Sequence, residues 1–255
     1  MPSSRKRLSE STYYPKAPIF EAVIELRFEK AISKDAQLKA VNRIAQNYST
    51  KSADEHADFE VFVKKGEIEP RTRNVRTVFR LGNDDQTDLC TVDIDRVYWS
   101  KLAPYLGWED FFSRFVRDLN LGFGRSKSLV FTRIGVRFRN RFDIQREKGK
   151  NVFNYERFLT ANLNLPDILD PIDLFDWKIE KHFPDVELRS IVMSGVSKPE
   201  IPGTVAILLD IDVIKDTHLF IKKFDPEDTL SPMRALKNKI FEASITDFAR
   251  ESFLK

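Results

Sequence analysis

Apolar and polar residues alternate strictly along APIFEAVIELRFE, residues 17–29. Ala22, Ile24, Leu26 and Phe28 take one side and Val23, Glu25, Arg27 and Glu29 the other. Period-two alternation marks a strand with one buried and one wetter face. Pro15 and Pro18 stand before it, where no ladder donor is yet needed. The pattern returns in FTRIGVRFRNR, residues 131–141, where Ile134, Val136 and Phe138 alternate with Arg133, Arg137 and Arg139. These are read as the first strands of two copies of one folding unit, with Arg27-Phe28 answering Arg137-Phe138. Two further matches keep the same order: TVDIDRV (91–97) with LLDIDVI (208–214), then Phe112, Val116 and Leu119 with Phe241, Ile245 and Phe248. Spacings that grow along the chain fit a duplication followed by insertions.

Between these landmarks the pattern predicts the remaining elements. Ser33 is placed to cap a helix over 33–48, with Leu38, Val41, Ile44 and Tyr48 on one face. Residues 51–58 read as a loop, 59–68 as a strand and 70–74 as a turn. A strand over 75–81 turns Arg76 and Arg80 away from Val75, Thr77 and Phe79, and 82–85 is a turn. A strand over 89–99 carries Asp93 and Asp95, and an amphipathic helix over 108–121 stops at Gly122 and Gly124. The first copy is then β-α-β-β-β-α.

In the second copy a strand over 129–144 leads through a basic turn, 145–151, to a short helix over 154–163. The stretch 165–183 admits two readings. Ile168, Ile172, Phe175 and Ile179 have helical spacing, whereas Phe175, Trp177 and Ile179 alternate with Asp176, Lys178 and Glu180 as in a strand; the duplication favours the strand. Strands over 186–196 and 205–215 precede a helix opened by Ser231-Pro232, its apolar stripe being Leu236, Ile240, Phe241, Ile245 and Phe248. The expected fold is α+β: two tandem pseudo-symmetric β-α-β-β-β-α repeats, with antiparallel sheet or sheets packed under long helices. A basic tail occupies 1–11, the first repeat 12–126 and the second 127–255, both repeats in one globular body.

Composition narrows the classes. Hydrophobic residues at 42% and charged ones at 32% suit a soluble globule, and 21 Phe against 6 Tyr make the aromatics core filler. Nine glycines in 255 residues argue against loops that cradle phosphates. A net charge of +3 is too small to imply nucleic acid on its own. Cys90 is the single cysteine, so no intramolecular disulfide forms and a reducing compartment fits. No apolar run approaches a transmembrane length. A cytoplasmic bacterial-type protein is expected.

Three groups of residues are candidates for chemistry. Asp93/Asp95 and Asp210/Asp212, at two-residue spacing, share strand faces and could either bind a hard divalent cation or pair with Arg27, Arg137 and Arg139. Arg137, Arg139 and Arg141, extended by Arg146, Lys148 and Lys150, could face an anion such as nucleic-acid phosphate or a lipid head group, or balance the aspartates. The acidic stretch 167–180, with Phe175 and Trp177 embedded, could dock a basic partner or wrap inward. Cys90 has no catalytic histidine near it in sequence, and His56, His182 and His218 lack ligand spacing. GFGRSKS (122–128) follows a helix and enters a strand, the reverse of a phosphate loop. No catalytic residue, metal site or cofactor is assigned.

YYPKAPIFEAVIELRF, RIGVRFRNRF and LKNKIFEASITDF resemble a sporadically distributed bacterial family of uncharacterised proteins. Its Pro-Ile-x-Glu-Ala-Val motif falls on Pro18, Ile19, Glu21, Ala22 and Val23. Its Arg-Ile-Gly-x-Arg-(Tyr/Phe)-x-Asn-Arg motif falls on Arg133, Ile134, Gly135, Arg137, Phe138, Asn140 and Arg141. The resemblance implies a sensor, adaptor or antitoxin-like component of mobile or anti-phage defence loci, working with a protein partner. The expected function is therefore a non-enzymatic recognition module. Two alternatives stand beside it: a protein binding a hydrophobic ligand or membrane lipid under a helix-covered sheet, and a metal-dependent phosphodiesterase using the Asp-x-Asp pairs.

Overall fold

A computed structural model describes residues 14–64, 67–145, 154–161, 166, 168, 174–197 and 202–254. In chain order the elements are β1 (Ile19–Phe28), α1 (Lys34–Ile44), β2 (Thr50–Lys64), β3 (Glu67–Gly82), β4 (Asp88–Val92), β5 (Arg96–Leu102) and α2 (Trp108–Phe123). Then come β6 (Val130–Gln145), β7 (Asp176–Phe183), β8 (Leu188–Ser197), β9 (Thr204–Phe220), α3 (Pro226–Ser244) and α4 (Asp247–Leu254). The fold is α+β, with a large antiparallel sheet in the order β2-β3-β4-β5-β1-β6-β9-β8-β7. No described helix is long and apolar enough to cross a membrane.

The chain divides into two compact units that interleave in sequence. One comprises Val23–Ile134 and Asp216–Phe224. The other comprises Met1–Ala22, Gly135–Lys215 and Asp225–Lys255. They are called here the N-terminal and C-terminal units.

In the N-terminal unit β1 has the expected alternation: Ile24, Leu26 and Phe28 are buried while Arg27 is exposed. Ser33 caps α1, its Oγ accepting from the Ala36 amide at 3.2 Å. The buried face of α1 differs from the expected one. Leu38 is 43% exposed, and Gln37, Ala40, Val41 and Ile44 point inward. Gln37 takes the inward position because its Nε2 donates to the Thr77 and Val92 carbonyls at 2.8 and 3.0 Å. Gly122 lets α2 approach α1: a Cβ there would lie 2.7 Å from Ile44 Cδ1.

Three expectations for this unit are corrected. The 51–58 loop is strand instead, part of β2, which carries the expected 59–68 strand as far as Lys64 and pairs there with Glu67 of β3. The 70–74 turn lies inside β3, with Pro70 opposite Val61. Proline fits because β4 pairs only with Phe79–Gly82, leaving β3 one described neighbour at Pro70. The 89–99 strand is broken: β4 ends at Val92 and β5 starts at Arg96. Asp93 closes a turn instead, its amide donating to the Arg96 carbonyl at 2.9 Å and its Oδ1 accepting from the Ile94 amide at 2.7 Å. The first half therefore has four strands between its helices, β-α-β-β-β-β-α.

In the C-terminal unit β7, β8 and β9 form an antiparallel meander, so 176–183 is a strand as the alternation required. The expected helix over 154–163 is only a 3-10 turn at Tyr155–Arg157 among the described residues. The following backbone is spent elsewhere: the Thr160 amide donates to the Ser244 carbonyl, and Phe158 accepts from Thr246, both at 3.0 Å. The last helix opens earlier than expected. Asp225 caps it, accepting from the Asp228 amide at 3.0 Å, Pro226 occupies its first turn, and Pro232 lies inside. Ile245 is extended and divides α3 from α4, and Phe248 is 43% exposed. Two of the three matches offered for a duplication thus join unlike local structures: the Asp-Ile-Asp stretches, and the helical triplets.

Candidate functional site

The outward side chains of β6 place the predicted arginines on one face of the C-terminal unit. Arg137 forks onto Asp210 of β9, with Nε 2.8 Å from Oδ1 and a second, shorter contact from its terminal nitrogen to Oδ2. Arg139 donates to Glu21 of β1 at 2.8 Å and lies 3.7 Å from Asp210. Its guanidinium also sits over the Phe20 ring, 4.7 Å from the centroid. Arg141 pairs with Asp143 at 3.0 Å. The Asp210 hydrogen bonds hold the Arg137 guanidinium in its charged form, raising its pKa further. Asp212 follows two residues after Asp210 on the same strand. Arg146, Lys148 and Lys150, like Asp167, Asp170 and Asp173, lie outside the described residues.

Arg137 and Arg139 stay accessible, whereas Arg141 is largely covered. The side chains of Arg137 and Arg139 are 40% and 35% exposed despite their partners. The face therefore presents fixed guanidinium planes beside an aromatic ring, with each described arginine matched to a carboxylate.

In the N-terminal unit the corresponding polar residues centre on Glu25. It accepts from Arg27 at 2.7 Å and from Arg133 in a short contact, with Arg96 3.9 Å away. Asp95 pairs with Arg96 at 3.0 Å, and the turn residue Asp93 with Arg76 at 3.5 Å. Asp93 and Asp95 therefore do not form a pair on a strand face, which removes the stated basis for reading that half as cation ligands. Among the described residues no three His, Cys, Asp or Glu side chains gather as a metal site. His56, His182 and His218 lie on strands, and His218 contacts Glu29 at 2.8 Å.

A buried polar cluster in the N-terminal unit escaped the sequence reading. Arg114 of α2 is buried and reaches the Ser100 carbonyl at 2.7 Å, the Leu89 carbonyl at 3.0 Å and the Tyr48 hydroxyl at 2.9 Å. Its Nε lies 3.3 Å from Asp88 Oδ1, which also pairs with Lys101 at 3.2 Å. One turn on, Asp118 accepts from Tyr48 at 2.6 Å, from Trp99 Nε1 at 3.2 Å and from Arg117 at 2.9 Å. Burial raises the Asp118 carboxyl, and burial is likewise the main cause lifting the Tyr48 hydroxyl and the Cys90 thiol above their usual ranges. Cys90 is thus an inert core thiol. Apart from the half-exposed Arg117, the cluster is packed within protein, so its chemistry is structural: it ties α2 to β4, β5 and Tyr48 beyond α1.

The one signal available in the sequence was spacing. Trp108, Phe111, Phe115 and Leu119 are the buried stripe of α2, and Arg114 and Asp118 fall within that same face. Compared with protein-family models, with curated proteins and with solved structures, the chain gives no match.

Proposed function

We propose that this protein is a non-enzymatic recognition module whose docking surface is the arginine face of the C-terminal unit. One observation carries the reading. Arg139 sits over the Phe20 ring while bonded to Glu21, and Arg137 is forked onto Asp210, yet both remain more than a third exposed. Arginine and aromatic side chains are what protein interfaces concentrate, and guanidinium planes already fixed lose little freedom on binding. Charge decides the class of partner. Asp210, Glu21 and Asp143 offset Arg137, Arg139 and Arg141. Among the described residues of this face a polyanion meets balanced charge, whereas a protein surface of mixed charge can exchange pairs with it.

A duplicated origin remains part of the proposal. It is supported by strand order: β1 is followed outward by β5, β4 and β3, and β6 by β9, β8 and β7. In each half the first strand neighbours the last, and the others step outward.

The test is parallel recovery of tagged wild-type chain and an Arg137→Gln/Arg139→Gln variant from source cells, with circular dichroism confirming that both fold. A protein recovered in stoichiometric amount with the wild type and lost from the variant is expected. Equal recovery by both, or none by either, would overturn the assignment. Salt-sensitive binding of duplex nucleic acid or anionic vesicles by the wild type would instead replace the protein partner with an anion.

A further inference from the structure

β7 ends the sheet order in the C-terminal unit, and among the described residues no strand pairs with its outer side. Its backbone fixes what that side offers. The Val196 amide donates to the Phe175 carbonyl at 3.1 Å, and these two residues continue the β7–β8 register, in which Asp176 faces Gly195. Hydrogen-bonded and non-hydrogen-bonded pairs alternate along an antiparallel ladder. Trp177, Ile179 and Lys181 therefore bond inward to β8, like Phe175, while the N–H and C=O groups of Asp176, Lys178, Glu180 and His182 point outward. An open edge of this kind is a template for another strand.

The side chains select the strand that fits. A second β7 laid antiparallel must set outward residues against outward residues, so the two-fold axis passes through a residue and not between two. With the axis at Ile179, Lys178 lies opposite Glu180, Asp176 opposite His182 and Trp177 opposite Lys181, while Ile179, 56% exposed, meets its own copy. Glu180, held by Arg189 of β8 at 3.2 Å, keeps 41% of its side chain exposed to a second partner. Opposite charges, a cation beside an aromatic ring and an apolar contact are all favourable across strands. Moving the axis by one residue either way sets Lys178 against Lys178 or Glu180 against Glu180. Charges on an edge strand commonly guard it against pairing; these repel in the neighbouring registers and attract in this one.

We infer that β7 is a homodimer interface, at which two copies of this chain pair antiparallel about Ile179. Main-chain hydrogen bonds supply the affinity, and the Lys178–Glu180 contacts fix the register. Lys178, Met193 and Asp210 lie in one cross-strand row, and the axis is perpendicular to the sheet, so both copies turn their arginine faces to the same side. The dimer stands or falls independently of what that face binds.

The test is sedimentation equilibrium of the intact chain across a range of concentrations, where the wild type should show a monomer–dimer equilibrium. Lys178→Glu and Glu180→Lys each set like charges at both symmetry-related contacts, and each should raise the dimer dissociation constant about tenfold. Mixed in equal amounts, the two variants should associate with close to wild-type affinity, because each restores the other's missing charge. A folding defect would not be rescued in this way. Lys178→Pro removes an outward donor, spares the bonds to β8 and should abolish the dimer, with circular dichroism confirming the fold. A wild type that stays monomeric, a dimer indifferent to Lys178→Pro, or a mixture that fails to associate would overturn the inference.

Discussion

Arg114 shows how one residue can carry more structure than its type suggests. On α2 a charged residue ordinarily marks the wet face, and the pattern placed the stripe through Phe112 and Val116. The actual stripe runs one position earlier and takes Arg114 and Asp118 inside with it. Their partners Tyr48, Asp88, Leu89, Trp99 and Ser100 come from separate segments, so no local pattern could have disclosed the cluster. Arg114→Met should lower stability by about 2–4 kcal/mol, because it leaves the Leu89 and Ser100 carbonyls without their donor and leaves Asp88 to Lys101. Arg117→Ala, removing a 44% exposed partner of Asp118, should cost less than about 1 kcal/mol. Urea midpoints compare the two.

Lys237 is the second such residue. It lies buried between Met233 and Phe241 on the inner side of α3, its ammonium 3.9 Å from the Phe138 ring centroid. Burial first, and Arg234 second, lower its pKa from 10.5 to about 7, with Glu242 opposing. Between those values the unfolded chain holds more protons than the folded one, so stability rises with pH across that window. The favourable contribution is complete above about 10.5 and lost as pH falls toward 7. Lys237→Met should raise the thermal midpoint at pH 7 and flatten its pH dependence, by an amount on the order of a few kcal/mol in stability. An unchanged slope in the variant would contradict the assignment.

Among elements, those resting on strict alternation were legible and those defined by turns were not. The pattern gives β1 and β6 to within two residues, since β1 from Ala22 and β6 from Val136 bury every second side chain. The pattern misplaces the ends of β2 and β3 because Pro70 reads as a turn, and only tertiary pairing reveals that β3 has a single described neighbour there. Asp93-Ile94-Asp95 alternates like a strand but is claimed by its own turn hydrogen bonds. The arginine face was partly legible: Arg137 and Arg139 were named from their spacing, while their partner Glu21 and the ring of Phe20 were not. The α1–α2 contact offers a prediction at this scale. Gly122→Ala should cost about 1–3 kcal/mol by forcing a methyl against Ile44 Cδ1. In an Ile44→Val background, which lacks that carbon but keeps Cγ1 at 3.1 Å, the same change should cost clearly less, and a double-mutant cycle in urea measures the difference.

For the whole molecule, the expected boundary between 126 and 127 crosses the N-terminal unit, which also takes in Asp216–Phe224. Phe224 packs against Phe115 and Phe131, with ring centroids 6.5 and 5.4 Å away, and Phe131 lies against Phe28 at 6.2 Å. A fragment of residues 14–126 therefore lacks two of these rings. It should give poor amide dispersion and no cooperative melt, whereas the full chain melts sharply. A well-dispersed spectrum from the fragment would show that the missing segments are dispensable.

This interleaving sets a schedule for biosynthesis. Ile134 leaves the ribosome 90 residues before Phe224, a delay of about 5–18 seconds at typical elongation rates. Throughout that interval Phe28, Phe115 and Phe131 await their last partner, so the nascent chain should recruit a chaperone once Ile134 has emerged and release it only after Phe224 follows.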